Sequence, residues 1–184
     1  MEQVTKYWLD EDNKIIDTNS YWNSFAMDND GGKVLRDRVI GKHLFGYIAD
    51  DNTRMLLDTL ISRVRHTKKE MTRPYRCDSP QRKRFMEMKI IPQEDGKICV
   101  ENRILREEEL AERRDFKTVK NEKGQPFLKR CSVCNRVNDK TGWYEPDHPH
   151  VSKYFTKGKP TFVAYSVCSD CQQDLKNRLS RLQA

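Results

Sequence analysis

Two short cysteine pairs, Cys131-x-x-Cys134 and Cys168-x-x-Cys171, constrain this chain more than any other feature. Each pair sets two thiols on one tight turn, and residues 135–167 must fold back to bring the turns together. Four thiolates at that spacing suit a tetrahedral ion, with zinc the default occupant. A closed four-ligand site is structural, whereas catalytic zinc keeps one position open for water. A rubredoxin-like iron centre and a redox dithiol are the alternatives. The iron turns usually carry glycine after each pair, where this chain has Asn135 and Gln172; a dithiol leaves the second pair unexplained. His148 and His150, in Asp147-His148-Pro149-His150, are reserve ligands that read more simply as surface histidines. Cys171 lies beside the start of a helix expected from Gln172 to about Leu182, where free amides stabilise a thiolate. Cys77 and Cys99 stand outside the motif and read as buried or inert thiols.

A chain of 184 residues holds one ordinary domain, or a small domain plus a metal-stapled module. It has no apolar run long enough to span a bilayer, and MEQVTKYWLDEDNK lacks the pattern of a secretory signal. The expected setting is therefore cytoplasmic and reducing, with no membrane partner, where paired cysteines serve as metal ligands. The net charge is +7, and most of the excess falls in residues 106–184. Lys129, Arg130 and Arg136 flank the first pair and are expected to offset an anionic thiolate centre. The basic run is interrupted by Glu107–Glu109, Asp115, Asp139, Glu145 and Asp147, so no continuous stripe tracks phosphates. Nucleic-acid binding is expected to be weak and salt-sensitive. Aromatic residues in this part (Trp143, Tyr144, Tyr154, Phe155, Phe162, Tyr165) exceed what a small zinc core buries, which favours contact with a protein partner or a second copy.

The chain divides near residue 106. Tyr7–Leu9 and Lys14–Ile16 flank the acidic turn Asp10–Asn13 and read as a hairpin. Asn19 or Ser20 caps a short helix carrying Trp22, Phe25 and Ala26. From Asp50 or Asp51 a longer helix runs to about His66, with Leu56, Leu60 and Val64 in one apolar stripe. Met71, Arg73, Tyr75 and Cys77 alternate as a strand. Phe85–Ile91 and Lys97–Leu105 close a second hairpin through Pro92–Gly96, with Met86, Met88 and Ile90 facing Ile98, Val100, Asn102 and Ile104. Residues 106–114 offer opposite charges at helical spacing and predict a charged helix, broken over Asn121–Pro126.

This order, with Val39-Ile40-Gly41-Lys42-His43-Leu44-Phe45 and Ile48-Ala49-Asp50-Asp51 ahead of the long helix, resembles a PAS sensor domain over about residues 4–105. The resemblance implies a five-stranded antiparallel sheet with helices on one face, enclosing a small-molecule pocket of unknown ligand. Leu56, Leu60, Met88, Ile98 and Val100 would line it, with Asn102 as the polar contact. Cys131, Cys134, Asp139, Gly142, Trp143, Cys168 and Cys171 resemble a zinc-binding tail found after sensor or receiver domains in bacterial signalling proteins. The fold class expected is thus α+β: a PAS-like domain over 1–105, a charged helical linker over 106–127, and a zinc-ribbon-like module over 128–184. Separate cores are expected for the two modules.

No phosphate loop, nucleophile elbow or HExxH motif is present, nor is the deaminase pattern that also uses a cysteine pair. The photoactive-flavin cysteine motif is missing, and haem would need His43 or His66 as its axial ligand. The sequence reads as a non-enzymatic signalling or regulatory protein whose structural zinc module mediates protein contact. The alternatives are a nucleic-acid-binding zinc-ribbon regulator and a haem or redox sensor.

Overall fold

The computed structural model describes residues 4–29, 31–48, 50–119 and 127–181. The break expected over Asn121–Pro126 and the helix end expected at Leu182 lie outside them. Strands β1 (Val4–Leu9) and β2 (Ile15–Thr18) form the opening hairpin. Asp10 closes its turn by accepting from the Asp12 and Lys14 amides at 3.0 and 2.8 Å, while Asn13 takes a left-handed φ of 62°. Asparagine tolerates that conformation better than most side chains. The chain then forms α1 (Tyr21–Met27) and α2 (Arg36–Val39). Helix α3 (Asp51–Thr67) follows, its start capped by Asp50, whose Oδ1 accepts from the Thr53 amide at 2.9 Å.

Strands β3 (Met71–Arg76), β4 (Arg82–Pro92) and β5 (Ile98–Glu109) complete a five-stranded antiparallel sheet in the order β2-β1-β5-β4-β3. Alternation gives this sheet one apolar face. Met88, Ile90, Ile98 and Val100 on that face meet Leu56, Leu60, Ile61 and Val64 of α3 in one buried cluster. Burial of each such side chain stabilises by about 1.5–3 kcal/mol before the entropy of ordering is counted.

The helix expected over 106–114 is not formed. Residues 106–109 instead continue β5, placing Glu107, Glu108 and Glu109 opposite Arg84, Lys83 and Arg82. Arg84 Nε meets Glu107 Oε1 at 2.6 Å. Charges that would pair along a helix also pair across strands, and here the neighbouring strand supplied the partners.

A second sheet contains β6 (Phe116–Thr118), β7 (Leu128–Cys131), β8 (Val137–Asn138), β9 (Trp143–Tyr144) and β10 (Thr161–Ser166), in the order β6-β10-β7-β8-β9. Strand β10 lies between β6 and β7 and runs parallel to both. Leu128, Val137, Val151 and Val163 form a small core on one face. Helix α4 (Ser169–Arg181) follows β10 directly.

The two sheets do not have separate cores. Cys131, Val133 and Cys168 belong to the same buried cluster as Leu56, Leu60 and Met88, and Leu175 and Leu179 of α4 pack against it. Three polar contacts fix the junction: Arg76 N to Val133 O at 2.7 Å, Arg178 Nη1 to Thr72 O at 3.0 Å, and Asn52 Nδ2 to Tyr165 O at 2.8 Å. A buried charge network joins them. Arg76 grips Asp78 through two bonds of 2.8 and 2.6 Å and reaches Glu145 at 3.0 Å, and Lys83 reaches Asp147 at 2.6 Å.

Candidate metal centre

The sulfurs of Cys131, Cys134, Cys168 and Cys171 all lie within 4.8 Å of one another. Two different local structures deliver them. Cys131 ends β7, and a tight turn follows in which the Asn135 amide bonds Cys131 O at 3.0 Å and the Cys131 amide bonds Arg136 O at 2.8 Å. That turn requires a left-handed residue at its end, and Asn135 supplies it with φ of 60°. Asparagine thus does what glycine does in related turns. The second pair sits on a helix rather than on a second turn of this kind. Cys168 immediately precedes α4, Cys171 is in its first turn, and the Gln172 amide bonds Cys168 O at 2.9 Å. The helix therefore begins three residues earlier than Gln172, and the positive end of its dipole lies beside the second cysteine pair.

These residues fit a tetrahedral thiolate-bound ion. Zinc–sulfur bonds near 2.3 Å give a tetrahedron edge of about 3.8 Å, and Cys134 Sγ lies 3.8 Å from Cys168 Sγ. Cys131 Sγ accepts from the Val133 and Cys168 amides at 3.4 Å each. Hydrogen bonds from the Cys134 and Cys171 thiols, and then from the Cys134 and Cys168 amides, hold the Cys131 thiol far below its usual range, while contacts with the Cys131 and Cys134 sulfurs drive Cys171 far above it. Thiols must lose their protons to ligate a divalent ion, so binding at this cluster is expected to release protons.

Charge compensation differs from the sequence expectation. Of the three flanking cations, only Arg136 reaches the sulfurs, with Nε 3.3 Å from Cys134 Sγ and Nη2 4.0 Å from Cys168 Sγ and 2.9 Å from Asp170. Lys129 is exposed, and Arg130 lies over the Phe116 ring. The second cation is Arg73 of β3, only 3% exposed, whose Nε and Nη2 are buried with no hydrogen-bond partner among the described residues. Burial pulls its pKa down, and Asp174, Cys171 and Cys131 pull it back. An unpaired buried guanidinium is costly, and a four-thiolate centre carrying about −2 with a divalent ion is the counter-charge that it lacks. The visible signal was a charged residue alternating with Met71 and Tyr75 on the apolar face of β3.

His148 and His150 are not part of the sulfur cluster. His150 Nε2 pairs with Asp139 Oδ2 at 2.9 Å and stacks on Tyr144 with centroids 4.5 Å apart. Trp143 is half-buried against the shared core and borders a groove of about 810 Å³ with Cys134, Cys171, Phe85 and Leu105. Cys99 is buried, and Cys77 is exposed at the end of β3 rather than enclosed.

The first sheet encloses a separate cavity of about 250 Å³, lined by aromatic residues Tyr7, Trp22, Phe25 and Tyr75 together with Met86 and Asn102. Of the pocket residues expected from sequence, only Asn102 reaches it. Leu56 and Met88 border a smaller space of about 190 Å³ against Ser132 and Val133. Leu60, Ile98 and Val100 are closed into the core at 0–1% exposure. The reason is that α3 seals that part of the sheet, and the opening lies under α1. Asn102 Oδ1 accepts from the Tyr75 hydroxyl at 2.9 Å, and burial keeps that phenol protonated. Asn29 Oδ1 is buried beside the cavity without a partner among the described residues. His43 caps the Phe45 amide at 3.2 Å and His66 is exposed near the end of α3; neither borders the cavity.

No protein-family model matches this sequence, and no curated protein matches it. Among solved structures, "a domain of HTR-like protein from Haloarcula marismortui ATCC 43049" is similar at 12% identity and a TM-score of 0.43, over 56% of this chain and 99% of that one. So distant a likeness bears no weight here. The molecule is a mixed α+β protein with a five-stranded antiparallel sheet and a four-cysteine cluster suited to a metal. No described helix is long and apolar enough to cross a membrane.

Proposed function

We propose that this chain is a non-enzymatic regulatory protein in which a PAS-like ligand-sensing domain is coupled to a structural zinc module. One observation supports the coupling above others: Tyr75 borders the aromatic cavity, the space beneath the cysteine turn and the groove beside Trp143. A ligand that moved Tyr75 would press on Val133, whose carbonyl is bonded by the next residue, Arg76. The sheet order, with its helices inserted between β2 and β3, agrees with what the PAS resemblance implies. The zinc holds the turn and α4 in register, and the module forms the output contact.

The test is metal analysis and an absorption spectrum on the purified full chain. One zinc per chain and no visible absorption are expected. Cys168→Ser should release the metal and loosen the first sheet as well, because the core is shared. Stoichiometric iron, haem colour, or a metal-free chain with unchanged amide protection would overturn the reading. A small molecule retained by the wild type and lost in Asn102→Leu, with zinc content unchanged, would identify the cavity as the sensing site.

A further inference from the structure

The acidic side chains that interrupt the basic run in sequence do not interrupt it in space. Among the described acidic residues from 110 onward, Glu112 pairs with Arg114, Asp115 with Arg113, Glu145 and Asp147 with Lys83, Asp170 with Arg136 and Asp174 with Arg178, while Asp139 is side-chain bonded to His150 and Thr141. Lys117, Lys129, Lys140, Lys153, Lys157 and Lys159 are exposed and make no ion pair among the described residues. The field of this unit is therefore carried by unopposed lysine.

Two of these lysines flank an aromatic side chain on a sheet. Register places Phe162 beside Lys117 and Ala164 beside Lys129, so Lys117, Phe162, Ala164 and Lys129 share one face across β6, β10 and β7. The other face carries the Leu128, Val137 and Val163 core. Phe162 is half-buried and packs against neither core, and Phe127, just before β7, is 51% exposed. Lys117 and Lys129 lie two strand spacings apart and two residues out of register, roughly 12 Å. A flat sheet with an aromatic ring between separated cations is the arrangement on which a base stacks while its flanking phosphates meet ammonium groups.

We propose that the end of this face away from the cysteines binds single-stranded nucleic acid, with Phe162 as the stacking platform and Lys117 and Lys129 on phosphates. This assigns a partner that the reading above leaves open, and it does not depend on the cavity. The ring selects nucleic acid over an acidic peptide, which would need the cations but not the exposed aromatic face. Ribose and deoxyribose strands offer the same stacking and phosphate chemistry, and the assay separates them.

The experiment is fluorescence anisotropy of the zinc-loaded full chain with a labelled uridine-rich 15-mer and its DNA counterpart, at about 50 and 200 mM salt. Binding to at least one strand is expected, falling steeply with salt. Phe162→Leu should weaken it about 5- to 100-fold and Phe162→Tyr should retain it. Lys117→Glu with Lys129→Glu should weaken it at least about tenfold and flatten the salt dependence, while Lys176→Glu on α4 should change it less than about threefold. Zinc content and near-UV dichroism report that each variant is folded. Unchanged affinity in folded Phe162→Leu, equal weakening by Lys176→Glu, or binding only to anionic vesicles or an acidic peptide would overturn the proposal.

Discussion

Replacing Arg76 by methionine should cost about 3–4 kcal/mol of unfolding free energy. The side chain is 5% exposed and bonded twice to Asp78, itself 5% exposed, at 2.6–2.8 Å. At an effective dielectric of about 20, unit charges roughly 3 Å apart attract by about 5 kcal/mol, and stranding one partner of a buried pair typically costs about 3–5 kcal/mol. Asp78 would keep the Arg84 amide at 3.1 Å and Arg130 at 3.8 Å, which puts the loss at the lower end. Methionine preserves most of the buried stem, so the effect reports the charge rather than a cavity. The second contact, to Glu145, is 39% exposed on the acid's side and should matter little. The assay is urea unfolding of zinc-loaded protein, with Arg76→Met, Asp78→Asn, their double variant and Glu145→Gln. Coupling between Arg76 and Asp78 above about 2 kcal/mol is expected, and less than about 1 kcal/mol for Glu145→Gln. A loss below about 1 kcal/mol in Arg76→Met, or an equal loss in Glu145→Gln, would refute the claim that the buried Arg76–Asp78 pair, rather than the outer contact to Glu145, carries the stability of this charge network.

Arg73→Met should weaken zinc binding about 10-fold or more in chelator competition, since groups that neutralise or orient ligands carry that much of metal affinity; unchanged affinity would remove Arg73 from the site. Tyr75→Phe strands the buried Asn102 acceptor and should lower stability by about 1–2 kcal/mol in urea, with part regained in Tyr75→Phe/Asn102→Leu; no loss would mean that water replaces the hydroxyl. Asp139 is held down to about 2 from 3.8 by its Thr141 hydrogen bond first and by His150 with it. A depressed acid stabilises the fold above its unfolded pKa and loses that contribution as pH falls through the folded one. The advantage of wild type over Asp139→Asn should therefore be complete above about pH 5 and gone near pH 1, measured by thermal melts across that range; a constant difference would exclude ionisation as its source.

The cysteine pairs and the apolar stripes of the first sheet were legible because local spacing determines them. Leu56, Leu60 and Val64 recur at helical steps, and Met86 to Ile90 alternate whatever they pack against. What spacing leaves undetermined is which neighbour answers a charge. Glu107–Glu109 fit a helix with Arg106 or a ladder with Arg82–Arg84, and only the returning strand decides. The cavity moved from the Leu60 region to the Trp22 region for a similar reason, since the seating of α1 and α3 on the sheet is a tertiary outcome. Arg73 was visible as a charge on an apolar face, but its counter-charge lies nearly a hundred residues along the chain, on Cys171 and Asp174.

Strand β10 lies between β6 and β7 in the second sheet yet comes later in the chain than both strands it joins. While the polypeptide is being made, β6 and β7 must wait side by side with a gap between them, each showing an unpaired edge. The second cysteine pair arrives directly behind the strand that fills the gap, so closure of the sheet and capture of the ion fall in the same late step. Until then, both Cys131 and Cys134 are open to wrong partners, and an emerging chain starved of zinc would be expected to stall with the first sheet's β3 edge and the groove beside it uncovered.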